Sequence, residues 1–168
     1  MVKIKGNLLD MFDDNVFNVI VHGCNCHHDM GGGIAAQIAK RYPSALIADL
    51  NTDYGDKSKL GAVGIAYINA HDNTPYIGPV GPEGETDGPV RAIVNAYTQY
   101  HPGADARLKA IRYALRTVNA LAKFSAWDSV RVGIPAIGCG IGGLKMEHLE
   151  PVVDRECKDT DIVLVEFG

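Results

Sequence analysis

Two glycine-rich strings, MGGGIAAQIA at 30–39 and IGCGIGGLKM at 137–146, each follow a β-rich apolar run and precede a segment of helical periodicity. A strand that ends in glycines and restarts as a helix forms a strand, loop and helix unit. Two such units put both loops on the carboxyl edge of one sheet. Glycine at these positions lets a phosphate approach bare backbone amides at a helix N-terminus, where the helix dipole adds favourable potential. The pair of loops therefore predicts a clamp that holds a diphosphate from both sides.

The rest of the chain repeats the alternation. VKIK, VFNVIV, AVGIAYI, RAIVNAY, VRVGI and IVLVEF read as strands at 2–5, 16–21, 62–68, 91–97, 130–134 and 162–167. The third and fourth are apolar enough for burial on both faces, as parallel strands are. Ile34, Ala35, Ile38 and Ala39 recur at helical spacing up to the boundary at Pro43, and a short helix follows through Ala45 to Leu50. Ala104 to Phe124 carries Leu108, Ile111, Leu115, Val118 and Leu121 at steps of three and four, the clearest amphipathic helix in the chain. A last helix is expected around Glu147 to Cys157, and IGPVGPEGETDGP at 77–89 reads as a surface loop or small hairpin. The pattern predicts an α/β fold with a mostly parallel sheet covered on both faces.

At 168 residues, 46% hydrophobic and 21% charged, the chain is expected to form a single domain over 1–168. Its net charge of −4 disfavours direct nucleic-acid binding and attraction to an acidic membrane surface. A signal peptide and a membrane-length apolar run are both missing from the sequence, so cytoplasmic residence is expected, with the chain acting as a monomer. In that compartment Cys24, Cys26, Cys139 and Cys157 are expected as thiols, with Cys24 and Cys26 on opposite faces of a strand-like run.

Several motifs compete for the same residues. Gly138, Gly140 and Gly143 fit G-x-G-x-x-G, but only one helix and one strand follow, too little for the second half of a dinucleotide-binding fold and its nicotinamide cofactor. The glycines of either loop can also be read as tight turns that allow close helix packing. Cys24, Cys26, His27 and His28 are zinc-donor types, yet they fall within five positions and lack a second ligand pair, so no metal is expected. Cys139 with Lys145 has the outline of a cysteine phosphatase loop, but lysine lacks the bidentate fork that cradles a phosphoryl group.

The phrases KGNLL, VIVHGCNCHHDMGGGIAAQIAKRYPSA, GAVGIAYI, IVNAYTQ and IPAIGCGIGGLKMEHLEPVV, in this order, resemble the macro domain family over most of the chain. HGCNC followed by GGGIA and RYP resembles the branch of ADP-ribose-1''-phosphate phosphatases and related ADP-ribosyl hydrolases. The resemblance implies a three-layer fold with a mixed, mostly parallel sheet, ADP-ribose or a derivative as ligand, and no cofactor. It places Asn25 near the distal ribose, with Cys24 beside it. Gly31, Gly32, Gly33 and Ile34 match the first phosphate loop, and Gly138, Cys139, Gly140, Ile141, Gly142 and Gly143 match the second. Asn95, Tyr97 and Gln99 fall at a strand end where family members contact the ligand. The family's adenine-recognising aspartate is replaced by Asn7, whose amide both donates and accepts. Where a related branch carries an aspartate for a lysine-adduct mechanism, this chain has Gly142 or Gly143.

The implied activity is hydrolysis of the phosphate monoester of ADP-ribose-1''-phosphate; the alternatives are an ADP-ribosyl hydrolase acting on protein or nucleic acid, or a reader without turnover. His22, at the end of a buried strand, is the leading proton-transfer group, with a structural histidine as the other reading. Asn25 and Asp72 complete the catalytic candidates. Asp72 would activate water or hold His22, unless His71, Asp72 and Asn73 merely form a turn. His27, His28 and Asp29 in the first loop, and His101 after Gln99, offer further polar groups.

Overall fold

The computed structural model describes residues 1–82, 84–123 and 129–168. The elements run β1 (Val2–Gly6), α1 (Leu8–Asp13), β2 (Val19–Cys24), α2 (Gly33–Arg41), α3 (Pro43–Leu50), β3 (Val63–Asn69), β4 (Val90–Tyr97), α4 (Leu108–Lys123), β5 (Arg131–Ile134), α5 (Met146–Glu156) and β6 (Asp161–Phe167). The six strands form one sheet in the order β1-β6-β5-β2-β4-β3. All neighbours are parallel except β3 and β4, so the sheet is mixed and mostly parallel, with helices on both sides.

The alternation of side chains along each strand divides the core in two. Ile20 and Ile93 face α1, α2 and α3 and pack with Leu9, Phe12, Ile38 and Ala45. Val21 and Val94 face α4 and α5 and pack with Ile111, Leu115, Val118 and Leu149. In α4, Ile111, Leu115 and Val118 of the expected stripe are buried together with Ala110 and Ala114, whereas Leu108 is half-buried and Leu121 is exposed.

Four features depart from the sequence reading. β3 runs antiparallel to β4, pairing Val63 with Ala96 and Asn69 with Val90, so this apolar strand lies at the sheet edge and is only half-buried. Leu8–Asp13 forms a helix that hydrophobic spacing alone did not single out, capped by Asn7 Oδ1 accepting from the amide of Asp10 at 3.1 Å. α4 begins at Leu108, because 99–106 closes its own loop through a bridge between Gln99 and Ala106; the expected end at Phe124 lies outside the described residues. Cys24 and Cys26 pack into one small cluster with Tyr97 and not on opposite faces, because side chains two positions apart along an extended segment fall on the same face.

Candidate functional site

At the carboxyl ends of β2, β4 and β5 lies a cleft of about 490 Å³. The first glycine loop forms one wall. Its residues Gly31, Gly32, Gly33 and Ile34 line the cleft, and Gly33 opens α2 with φ of 57°, a dihedral that strains any residue with a side chain. Gly32 caps α2 without a side-chain acceptor, so the first amides of that helix have no partner within it. The second loop forms the facing wall with Gly138, Cys139, Ile141 and Gly142. It departs from the sequence reading in one respect. Gly140–Gly142 makes a single 3-10 turn and α5 starts only at Met146, so this loop offers the amides of a tight turn in place of a helix N-terminus. Gly140 and Gly143 shape that turn, with φ of 69° and 89°, without lining the cleft.

The loops approach each other through Ile141. Its side chain is 62% exposed, and its Cδ1 stands 3.4 Å from where a Cβ on Gly33 would be. An isoleucine thus spans the mouth above the glycines.

Polar side chains in the cleft mostly hold its walls. Asn25 Nδ2 donates to the carbonyl of Asp29 at 2.8 Å, and Asn25 Oδ1 accepts from the amide of His27 at 2.9 Å, which folds loop 25–29 into one shape. Asp29 Oδ1 accepts from the amide of Gly31 at 2.8 Å. Gln99 Nε2 donates to the carbonyls of His101 and Gly103, tying down the opposite rim. Among the described residues, Asp29 is the one carboxylate lining the cleft, and no lysine, arginine or histidine lines it. Burial pushes the Cys24 thiol well above its ordinary pKa and raises that of Cys139, so neither is an activated nucleophile.

Other expected site residues lie elsewhere. His22 is fully buried on the α3 side of the sheet, in register with Asn95. Asn95 Nδ2 donates to the carbonyl of Ala45, which leaves Asn95 Oδ1 to accept from His22 Nε2 at 2.7 Å. Desolvation lowers the His22 pKa to about 4, against smaller opposing effects of Asn95 and Asp49, and the neutral ring sits behind Cys24. Tyr97 is buried on the same side, its hydroxyl donating to Asp49 Oδ1 at 2.8 Å. His22, Asn95 and Tyr97 therefore support the cleft from behind. Asn7 caps α1 and does not line the cleft.

Asp72 is a correction in kind. Because β3 is antiparallel, its end lies beside Val90, at the start of β4 and the opposite edge of the sheet from the cleft. The carboxylate accepts from the amide and hydroxyl of Thr74, an Asx turn that accounts for its lowered pKa.

Sequence reasoning overlooked Lys59, the one buried lysine among the described residues, at 9% exposure. Its Nζ donates to Thr52 Oγ1 at 2.9 Å and lies over the Tyr97 ring, joining the polar cluster behind the cleft. A lysine in the polar string DKSK at 56–59 carries no sequence signal for burial. Outside the cleft lining, the half-buried His27 stacks on His101, with Tyr54 and Tyr100 edge-on to it. No group of three or more metal-donor side chains occurs among the described residues, and none of the helices is long and apolar enough to cross a membrane. A smaller cavity of about 160 Å³ lies between α4 and residues Val80, Gly81, Pro82 and Gly84, lined largely by aliphatic side chains.

Comparison with known proteins fits this geometry. A protein of Enterobacteria phage T4, an uncharacterized 17.5 kDa protein in the tk-vs intergenic region, is 29% identical over 98% of this chain and 94% of its own length. The DNA ADP-ribosyl glycohydrolase of Mycobacterium tuberculosis is 30% identical over 78% of this chain, which spans only 32% of that relative. The ADP-ribose 1''-phosphate phosphatase of Saccharomyces cerevisiae is 45% identical over 42 residues, 25% of this chain and 23% of the relative. Among solved structures, Thermosipho africanus DarTG in complex with ADP-ribose superposes with a TM-score of 0.72 at 18% identity, covering 100% of this chain and 42% of that one. The macrodomain of Mycobacterium tuberculosis DarG gives 0.67 at 24% identity, covering 98% of each. The family model for the macro domain matches residues 21–153, from the middle of β2 through both glycine loops into α5, and the chain belongs to the macro domain family.

Proposed function

We propose that this protein binds ADP-ribose between its two glycine loops and hydrolyses the bond that joins the distal-ribose C1'' to a glycosidic partner. The observation that carries the reading is the cleft's charge inventory: Asp29 is its one carboxylate, and no cationic side chain lines it among the described residues. The amides of the loops suit a diphosphate. A phosphate monoester at C1'' would bring a second dianion against Asp29 with no lysine or arginine to offset it. Cleavage of a glycosidic bond instead develops positive charge on the sugar carbon, which a carboxylate stabilises. Asp29 also serves as base toward the attacking water, and the Asn25 contact to its carbonyl positions it.

The name of the mycobacterial relative, matched over 78% of the chain, supports this choice over the phosphatase expected from the resemblance. The phosphatase reading rests on the 42-residue match at 45% identity. One experiment decides between them: release of ADP-ribose from an ADP-ribosylated oligonucleotide or peptide, beside release of phosphate from ADP-ribose-1''-phosphate. Asp29→Asn keeps the acceptor for the Gly31 amide and removes the charge. It is expected to lower glycosidic turnover about 100-fold or more with little change in ADP-ribose affinity. Equal turnover of wild type and variant would remove Asp29 from the mechanism. Phosphate release alone would establish the phosphatase, and binding with no turnover of either substrate would establish a reader.

A further inference from the structure

Of the polar side chains that line the cleft, Thr98 stands apart. Among the described residues it carries the one hydroxyl there, is 1% exposed, and its Oγ1 is buried with no hydrogen-bond partner. Its backbone is fully used, the amide donating to the carbonyl of Cys24 at 3.1 Å and the carbonyl accepting from the amide of Arg107 at 2.9 Å. Asn25, Asp29 and Gln99 are each bonded within the cleft walls, so the threonine hydroxyl alone is left over. A buried hydroxyl without a partner is destabilising, and native proteins retain few of them.

Thr98 follows β4 on the α4 side of the sheet, and a Cβ on Gly23 would lie 2.6 Å from Thr98 Oγ1 and 3.3 Å from Ile137 Cγ2. Gly23 leads toward the first loop and Ile137 into the second. The hydroxyl therefore sits under the cleft floor, between the roots of the two amide clusters. The bare Gly23 supplies the niche it occupies, and any side chain there would displace it.

We infer that Thr98 is a ligand-positioning residue whose hydroxyl donates to an oxygen of the diphosphate held between the loops. This rests on the ADP-ribose reading above and adds a group which neither the glycine loops nor the family resemblance supplies. A hydroxyl rotor suits the task, because it turns its hydrogen toward an anion without moving the backbone.

The test uses Thr98→Val, which has the same shape without the hydroxyl, and Thr98→Ser, which keeps it. Calorimetric titration with ADP-ribose and with ADP is combined with thermal unfolding of the free proteins. Thr98→Val is expected to weaken both ligands roughly tenfold, the loss of one hydrogen bond to a charged acceptor. Its melting temperature without ligand should equal or exceed that of the wild type, since an apolar isostere replaces an unpaired hydroxyl. Thr98→Ser should bind within about twofold of wild type. A purely structural threonine would give the opposite signature: unchanged affinity, or affinity lost in step with a lower melting temperature. Either result overturns the inference, as does a loss seen with ADP-ribose and absent with ADP. Wild-type protein that fails to bind ADP-ribose at all would overturn the ADP-ribose reading itself.

Discussion

Acidification is expected to unfold this protein through His22. The ring is fully buried, and desolvation holds its pKa at about 4 although its Asn95 bond and Asp49 both favour the proton. The unfolded chain protonates the same ring near 6.5, the ordinary value. Between those two values the unfolded state binds more protons than the native state, so stability falls as pH drops through the window. Above it both states are neutral and the ring contributes nothing to pH dependence. Down to pH 4 the accumulated loss is about 3 kcal/mol, a large share of the ~5–15 kcal/mol that holds a domain together. His22→Gln retains an N–H donor for Asn95 Oδ1 and abolishes the titration. Urea unfolding of both proteins from about pH 7 to about pH 4 isolates the effect, because the other histidines are common to both. The unfolding free energy of wild type should fall by about 2–3 kcal/mol more than that of His22→Gln across this range. Parallel pH profiles would refute the reasoning, showing that the ring is hydrated or protonates freely in the native state.

Three further outcomes follow from the geometry. Gly33→Ala forces a side chain into φ of 57° and places its Cβ 3.4 Å from Ile141 Cδ1. Calorimetry should show ADP-ribose affinity lowered roughly tenfold, with a stability loss of about 1–2 kcal/mol. Gly133→Ala puts a Cβ 2.6 Å from Phe17 Cδ2 and 2.8 Å from Leu8 Cδ1 in the core beneath α1. This should cost about 1–3 kcal/mol in chemical denaturation and leave ligand affinity unchanged. Asp72→Ala should leave turnover at the wild-type rate, since the carboxylate lies on the far edge of the sheet; a clear loss would mean that the site extends there.

The positions of the strands and of both loops were legible because apolar runs and glycine clusters are local signals. Direction was not. AVGIAYI reads the same whether it runs with RAIVNAY or against it, and the 20-residue excursion between β3 and β4 gives no local indication of which. Misjudging that direction is what carried Asp72 to the wrong edge. Asn95 and Tyr97 were misplaced for a second reason. Alternation puts them on the face opposite Thr98, but which face meets the cleft depends on how α3 and the second loop pack. Thr98, one residue beyond the strand, was passed over beside the more conspicuous Gln99. Lys59 was illegible because its burial arises from Asp49, Thr52 and Tyr97 meeting in space.

Holding a diphosphate is the proposed role of the unpartnered amides of the two loops. Backbone amide NMR during titration with ADP-ribose tests it most directly. The largest shifts are predicted at Gly33, Ile34 and Ala35 at the start of α2 and at Gly140, Ile141 and Gly142 in the facing turn, saturating together at one ligand per chain. Shifts centred on the aliphatic cavity beside α4, or in one loop without the other, would contradict it.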